Sequence, residues 1–189
     1  MQPAWRKYYN LGLANAAAFR TSGGALLFGP RAIERGFENW TEIPRLVIGK
    51  DNGSPLRDFE QKAGLWLISP AVREMFEELD PGAFDFRACI VEHADGSPGP
   101  QRWLCDITRV IDALDEEASD VRVVIERNNH RYYSFSQPKK MVFKSHLIEK
   151  YLFFRMKFAA DCAVCAEEIK LEFKARGFKG ASFDPVQTI

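Results

Sequence analysis

The stretch that decides the fold runs Leu65-Trp-Leu-Ile-Ser-Pro-Ala-Val-Arg-Glu-Met-Phe76 and continues through Asp80-Pro-Gly82 into Phe84-Asp-Phe-Arg-Ala-Cys-Ile-Val91. Gly64 to Ile68 reads as a short buried strand, because an apolar run of that length is too short for a helix. Ser69 then offers an N-cap, and Pro70 suits the first helical position, where a missing N–H costs nothing. Val72, Met75, Phe76 and Leu79 fall at i, i+3, i+4 and i+7, which predicts a helix over 70–79 with one apolar stripe. Asp80-Pro-Gly82 stops it. Beyond the stop, Phe84, Phe86, Ala88 and Ile90 alternate with Asp85, Arg87, Cys89 and Val91, the period of a strand. A Pro- and Gly-rich loop over 94–100 returns the chain to a partner strand over 101–108, with Trp103, Cys105 and Ile107 on one face.

Working outward, the second half is read as β-rich. Strands are expected over 121–126 and 131–136, joined by turn chemistry at Asn128-Asn129-His130. Another is expected over 141–145. In the segment 151–158, Leu152, Phe154, Met156 and Phe158 share one face, with Arg155 and Lys157 on the other. A second principal helix is expected over 166–176, anchored by Ile169 and Phe173. Its acids sit first (Glu167, Glu168) and its bases last (Lys174, Arg176), the order that complements a helix dipole, and Gly177 supplies the left-handed stop. Residues 181–186 form a last strand. The expectation is an α+β fold of mostly antiparallel sheet with two principal helices. Residues 1–44 form an N-terminal segment or small lobe, and 45–189 the main domain. The Gly- and Pro-rich stretch 23–55 is left without assigned elements.

With 189 residues, 46% hydrophobic and 28% charged, and with 26 bases against 26 acids, the chain suits one globular unit with a real core. Zero net charge argues against a general electrostatic affinity for nucleic acid or an anionic membrane. No apolar run approaches the roughly 20 residues that span a bilayer. Arg6 and Lys7 before Leu11–Phe19 imitate a secretion signal, but Asn15 interrupts the run and charge returns at Arg20. The segment reads instead as a first strand or short helix. Four cysteines (Cys89, Cys105, Cys162, Cys165) are too few for a disulfide scaffold, so a cytoplasmic protein with reduced thiols is expected.

The chemistry-bearing patterns are sparse. Cys162-Ala-Val-Cys165 could be a redox pair or half a zinc site, yet no second pair of ligands exists. On a strand, residues three apart point to opposite faces, so buried structural thiols are the better reading. Cys105 beside Asp106 could be a nucleophile, but nothing in the sequence brings His93, His130 or His146 to it. No phosphate loop, GxSxG, HExxH or dinucleotide fingerprint is present. Asp112, Asp115, Glu116, Glu117 and Asp120 make the densest acidic segment, a solvated turn or a partner-binding surface. Opposed to it, Lys139, Lys140, Lys144, Lys150, Arg155 and Lys157 make a basic tract interleaved with Phe143, Tyr151, Phe153 and Phe154. Two locally opposed patches on a neutral chain fit a protein that binds another protein.

The run Leu65–Phe76, the hairpin strand Phe84–Val91, and Trp103-Leu-Cys-Asp-Ile-Thr-Arg-Val-Ile-Asp-Ala-Leu-Asp115 closing at Ser119 resemble a bacterial immunity family. It is that of the myxobacterial-type immunity domains of polymorphic toxin systems. Phe153–Phe158 and the Gly177-Phe-Lys-Gly180-Ala-Ser-Phe183 turn are similar to its C-terminal end, and the likeness covers about 45–186. The resemblance implies a non-enzymatic α+β domain without cofactor that binds and neutralises a cognate protein toxin, and the reading of the cysteines adds that no metal is expected. The resemblance implies that Ile107, Val110, Ile111 and Leu114 are core, and it assigns no toxin contact. The residues expected to face the partner are Asp115, Glu116, Glu117 and Asp120, with Asp112 last. Competing readings are a small-ligand or nucleic-acid-binding regulatory module using the basic tract and a Cys-dependent enzyme.

Overall fold

The computed structural model describes residues 7–13, 19–21, 35–38, 40, 43–48, 57–62, 65–127, 129–136 and 140–189. Gly23, Gly24 and most of 23–55, together with Arg6, Asn15, Gly64, Asn128 and Lys139, lie outside them. Strands predominate over helices. With elements numbered along the chain, one sheet has the order β2 (Phe19–Thr21), β3 (Arg45–Ile48), β6 (Phe84–His93), β7 (Arg102–Ile107), β5 (Leu65–Ile68) and β4 (Phe59–Lys62). A second has β14 (Ala181–Pro185), β1 (Tyr8–Leu13), β13 (Ala159–Ala166), β12 (Phe153–Met156) and β8 (Val110–Ile111). Two small pairs complete it: the hairpin β9 (Val121–Ile125) with β10 (Arg131–Phe135), and β11 (Val142–Phe143) beside β15 (Gln187–Thr188). Pairing is antiparallel except at β3–β6, β8–β12 and β11–β15. β1 lies between β13 and β14, so the early segment Tyr8–Leu13 is a member of the five-stranded sheet.

The helices are α1 (Pro70–Leu79), the short α2 (Ser145–Ile148) and α3 (Glu167–Ala175). In α1 the Ser69 hydroxyl accepts from the Val72 N–H at 3.4 Å, and Val72, Met75 and Phe76 are fully buried. Helix α3 buries Ile169 and Phe173 and ends at Gly177 with φ +70°. Both match the sequence reading to within a residue at each end. The expected strand over 141–145 is shorter: only Val142 and Phe143 pair, and Ser145 opens α2.

Both sheets are buried on both faces. One core lies between them, uniting Phe59, Trp66, Cys105 and Ile107 with Phe153, Cys165 and the stripes of α1 and α3. A second lies beyond the five-stranded sheet, with Phe154, Met156, Cys162 and Val164 against Phe143, Ile148 and Tyr133. A third covers the outer face of the six-stranded sheet, with Leu65, Leu67, Leu104 and Val91 under Phe37. Strands covered on both sides carry continuous apolar runs, not alternation. That is why Leu65–Ile68 and Phe153–Met156 are buried at every position. The turn after α3 joins the two sheets: Phe59 N–H donates to the Lys179 carbonyl (3.0 Å), and Lys179 N–H to Asp58. Gly180 sits there at φ +112°, and a Cβ would fall 1.9 Å from the Phe59 carbonyl oxygen, so only glycine fits.

Two expectations from single-face patterning and one from the family resemblance are corrected. Arg155, placed outward by alternation, is 1% exposed. It points into the protein because β12 has no solvent face, and its Nε donates to Asp106, itself fully buried, at 3.2 Å. Arg35 Nη1 (2.8 Å) and the Gly36 N–H (2.9 Å) donate to the same carboxylate. Asp85, paired with Asp106 across β6 and β7, accepts the Phe37 N–H at 2.6 Å. Two carboxylates facing each other across a ladder repel, and here the guanidinium groups and these backbone donors offset that cost. Secondly, Leu104 and Asp106 are buried as deeply as Cys105 and Ile107, the face predicted to be internal. Thirdly, Val110 is 39% exposed because β8 is an edge strand, whereas Ile107 and Leu114 are core as the resemblance implies.

Candidate partner-binding surface

After β8 the chain turns through 112–120 and is pinned to the body from below. Ala113 and Leu114 are buried, and Asp115 N–H donates to the Val142 carbonyl at 2.8 Å. Ser119 Oγ accepts the Val142 N–H at 3.0 Å, and Asp120 N–H donates to the Lys140 carbonyl at 3.1 Å. An acidic run anchored at both ends in this way must present its remaining side chains outward.

The five acids are not equivalent. Asp115 Oδ1 accepts the Glu117 N–H (3.1 Å) and the Ala118 N–H (2.9 Å), so this carboxylate builds the turn. Glu116 Oε1 accepts from Arg131 and from the Tyr133 hydroxyl at 2.6 Å, tying the turn to β10. Burial, then that hydrogen bond to Glu116, raises the Tyr133 phenol above its ordinary value. Asp112 is exposed and lies 3.7 Å from Lys157 Nζ. Glu117 and Asp120 are exposed. Asp112, Asp115, Glu116 and Glu117, with Leu114 and Lys144, line an open concavity of about 500 Å³. The structure thus gathers Asp112, Asp115, Glu116 and Glu117 in one concavity, leaves Asp120 outside its lining, and gives Asp115 and Glu116 structural duties. Glu117 and Asp120 remain the outward carboxylates.

Lys139 lies outside the described residues, and Lys144, Lys150, Arg155 and Lys157 do not group into an opposing patch. Lys144 lines the acidic concavity, Lys157 faces Asp112, Lys150 sits 5.0 Å from the Tyr151 ring, and Arg155 is buried. Positive and negative groups interleave on one surface because β11, β12 and the turn 112–120 are neighbours in space. Sequence separation had set them apart.

All four cysteines are free thiols and buried. Cys162 belongs to the core beyond the five-stranded sheet and Cys165 to the core between the sheets, so the two diverge as strand geometry requires. Burial pushes the Cys89 thiol up to about 12 and raises Cys105 and Cys165 well above their ordinary value. Such thiols are poor nucleophiles. Among the described residues, no group of three or more His, Cys, Asp or Glu side chains is placed to hold a metal ion. No helix among them is long and apolar enough to cross a membrane.

The charge cluster of Asp85, Asp106, Arg35 and Arg155 is the group that sequence patterning missed. Its signal was present: a single ionic residue inside each of two otherwise apolar runs, Cys105-Asp-Ile107 and Phe154-Arg-Met156.

The fold is sheet-rich, with an acidic turn at its surface and its four thiols buried. Comparison with protein families places it: the profile of the immunity protein family (Imm11) matches residues 4–188, and the chain belongs to that family. A search among curated proteins finds no match.

Proposed function

We propose that this chain is a cytoplasmic, non-enzymatic immunity protein that binds and neutralises a cognate toxin of a bacterial polymorphic-toxin or contact- or secretion-dependent competition system. Membership of the immunity family over nearly the whole chain carries this reading. The acidic turn 112–120 is the surface that meets the toxin, with Glu117 and Asp120 in contact and Asp112, Asp115 and Glu116 shaping the site. Toxins that attack nucleic acids present basic clefts, and carboxylates on an inhibitor steer encounter with such a surface. The buried thiols weigh against a cysteine enzyme, and the interleaved charges against a nucleic-acid groove.

The test is the association rate between this protein and its cognate toxin domain, which is to be sought in the genes that adjoin its own. Reversal of Glu117 and Asp120 to Lys leaves the fold intact by circular dichroism and slows association about 10-fold at low ionic strength. The difference shrinks as salt screens the wild-type attraction. Equal association rates at low salt overturn the assignment of this surface.

A further inference from the structure

The acidic turn runs directly into β9, and the hydrogen-bonding state of that strand carries a sharper statement about how the partner is held. Antiparallel ladders alternate pairs that exchange hydrogen bonds with pairs whose N–H and C=O turn outward. At the hairpin end Glu126 N–H donates to the His130 carbonyl (3.0 Å), and Tyr133 N–H turns away from β9 to the Phe158 carbonyl (2.6 Å). Val123 opposite Tyr133, and Ile125 opposite Arg131, are therefore outward pairs. On β10 the outer edge is engaged by Phe158. On β9 the Val121 N–H folds back to the Ser119 carbonyl (2.9 Å). The outward N–H and C=O groups of Val123 and Ile125 meet no partner among the described residues.

Sheet edges of this kind are ordinarily blunted by proline, a bulge, a covering element or an inward charge. β9 pairs in unbroken register with β10, contains no proline, and leaves Ile125 65% exposed beside the open groups. Asp120 and Glu126, both exposed, bracket the strand at its two ends, and the exposed Arg122 lies between them on the same strand face. An open edge carrying acid, base and acid in turn is complementary to an extended segment of about five residues with a Lys or Arg at either end and an acid opposite Arg122. A second copy of this chain is a poor match. The antiparallel register that pairs all of β9 with another β9 sets Asp120 against Glu126 twice, and like charges directly opposite destabilise a ladder.

We propose that the cognate toxin docks by adding a strand to the outer edge of β9, hydrogen-bonded to Val123 and Ile125, with basic side chains over Asp120 and Glu126. This rests on the toxin-binding reading above and names the mode of contact.

Ile125→Pro is the direct test. It removes one outward N–H, leaves the ladder to β10 untouched, and is of the kind edge strands accept. Affinity for the cognate toxin domain of the preceding test is expected to fall about 10-fold or more. Ile125→Ala, which keeps the N–H, loses less. In wild-type protein the Val123 and Ile125 amides, resolved by NMR, gain protection from hydrogen exchange when that domain is added, which settles the matter even if Ile125→Pro fails to fold. If wild type does not bind the domain at all, the toxin-binding reading falls and this inference with it. If wild type binds, but Ile125→Pro binds equally and both amides exchange as in the free protein, the edge proposal alone is overturned. A free protein that is dimeric, and that Ile125→Pro renders monomeric, also overturns it, because the edge then belongs to a second copy.

Discussion

Replacing Asp106 with Ala probes the buried charge cluster that ties β7 of the six-stranded sheet to Arg155 of β12 in the other. The Asp106 side chain is 0% exposed and that of Arg155 is 2% exposed, 3.2 Å away. Arg35, at 2.8 Å and 12% exposed, can turn toward water, but Arg155 cannot. Asp106→Ala therefore leaves a guanidinium buried without its carboxylate and strands the Gly36 N–H. Burial already lowers the Arg155 pKa even with Asp106 present. Breaking a buried pair from one side costs about 3–5 kcal/mol. With a urea slope of about 2 kcal/mol per molar, the unfolding midpoint should move down by about 1.5–2.5 M. The double variant Asp106→Ala with Arg155→Met removes both charges, and its loss should fall short of the sum of the single losses by about 1–3 kcal/mol. Equilibrium urea denaturation of the four proteins gives both quantities. A single-variant loss under about 1 kcal/mol, or additive losses in the double variant, would refute the reasoning.

Phe76, fully buried with ring centroids of Phe84 at 4.7 Å and Phe153 at 4.9 Å, is the hub of the central core, and Phe76→Ala should cost about 3–5 kcal/mol by chemical denaturation. A loss well under 1 kcal/mol would place α1 on the surface. The thiols should be inert to Ellman's reagent in the native state and react together on unfolding; reaction of any one at the folding baseline contradicts their burial. Burial raises Cys89 from 9.0 to about 12, so the fold favours the protonated thiol. That contribution is intact below pH 9 and is lost as pH rises toward 12, with a slope of at most about 1.4 kcal/mol per pH unit for this one thiol. Cys89→Ala should flatten the alkaline limb of the stability profile, and an unchanged limb would discount the thiol as its cause.

What the sequence made legible was local. The Ser69 cap, the Pro70 start and the stripe at Val72, Met75, Phe76 and Leu79 all lie within one helix, and a periodic pattern of that length specifies itself. The divergence of Cys162 and Cys165 follows from strand geometry alone. Alternation puts Arg155 outside because it assumes one wet face, and whether β12 has one depends on β5 and β7 of the other sheet, whose Trp66 and Asp106 meet Arg155. The same blindness to distant partners separated Lys144 and Lys157 from the acids that they join in space. Within the acidic run, no spacing distinguishes Asp115, which caps its own turn, from Glu117, which faces outward. Nor does any spacing single out Glu116, whose role exists only once Tyr133 and Arg131 arrive from β10 to engage it.

The most direct test of the account is to titrate the purified protein with a toxin domain encoded by a gene that adjoins its own, and to express the two together in a bacterial host. Saturable binding at a fixed stoichiometry, with growth restored in cells that make the toxin domain, is the expected result. Growth arrest that this protein does not relieve, with no binding heat at micromolar concentrations, would contradict it.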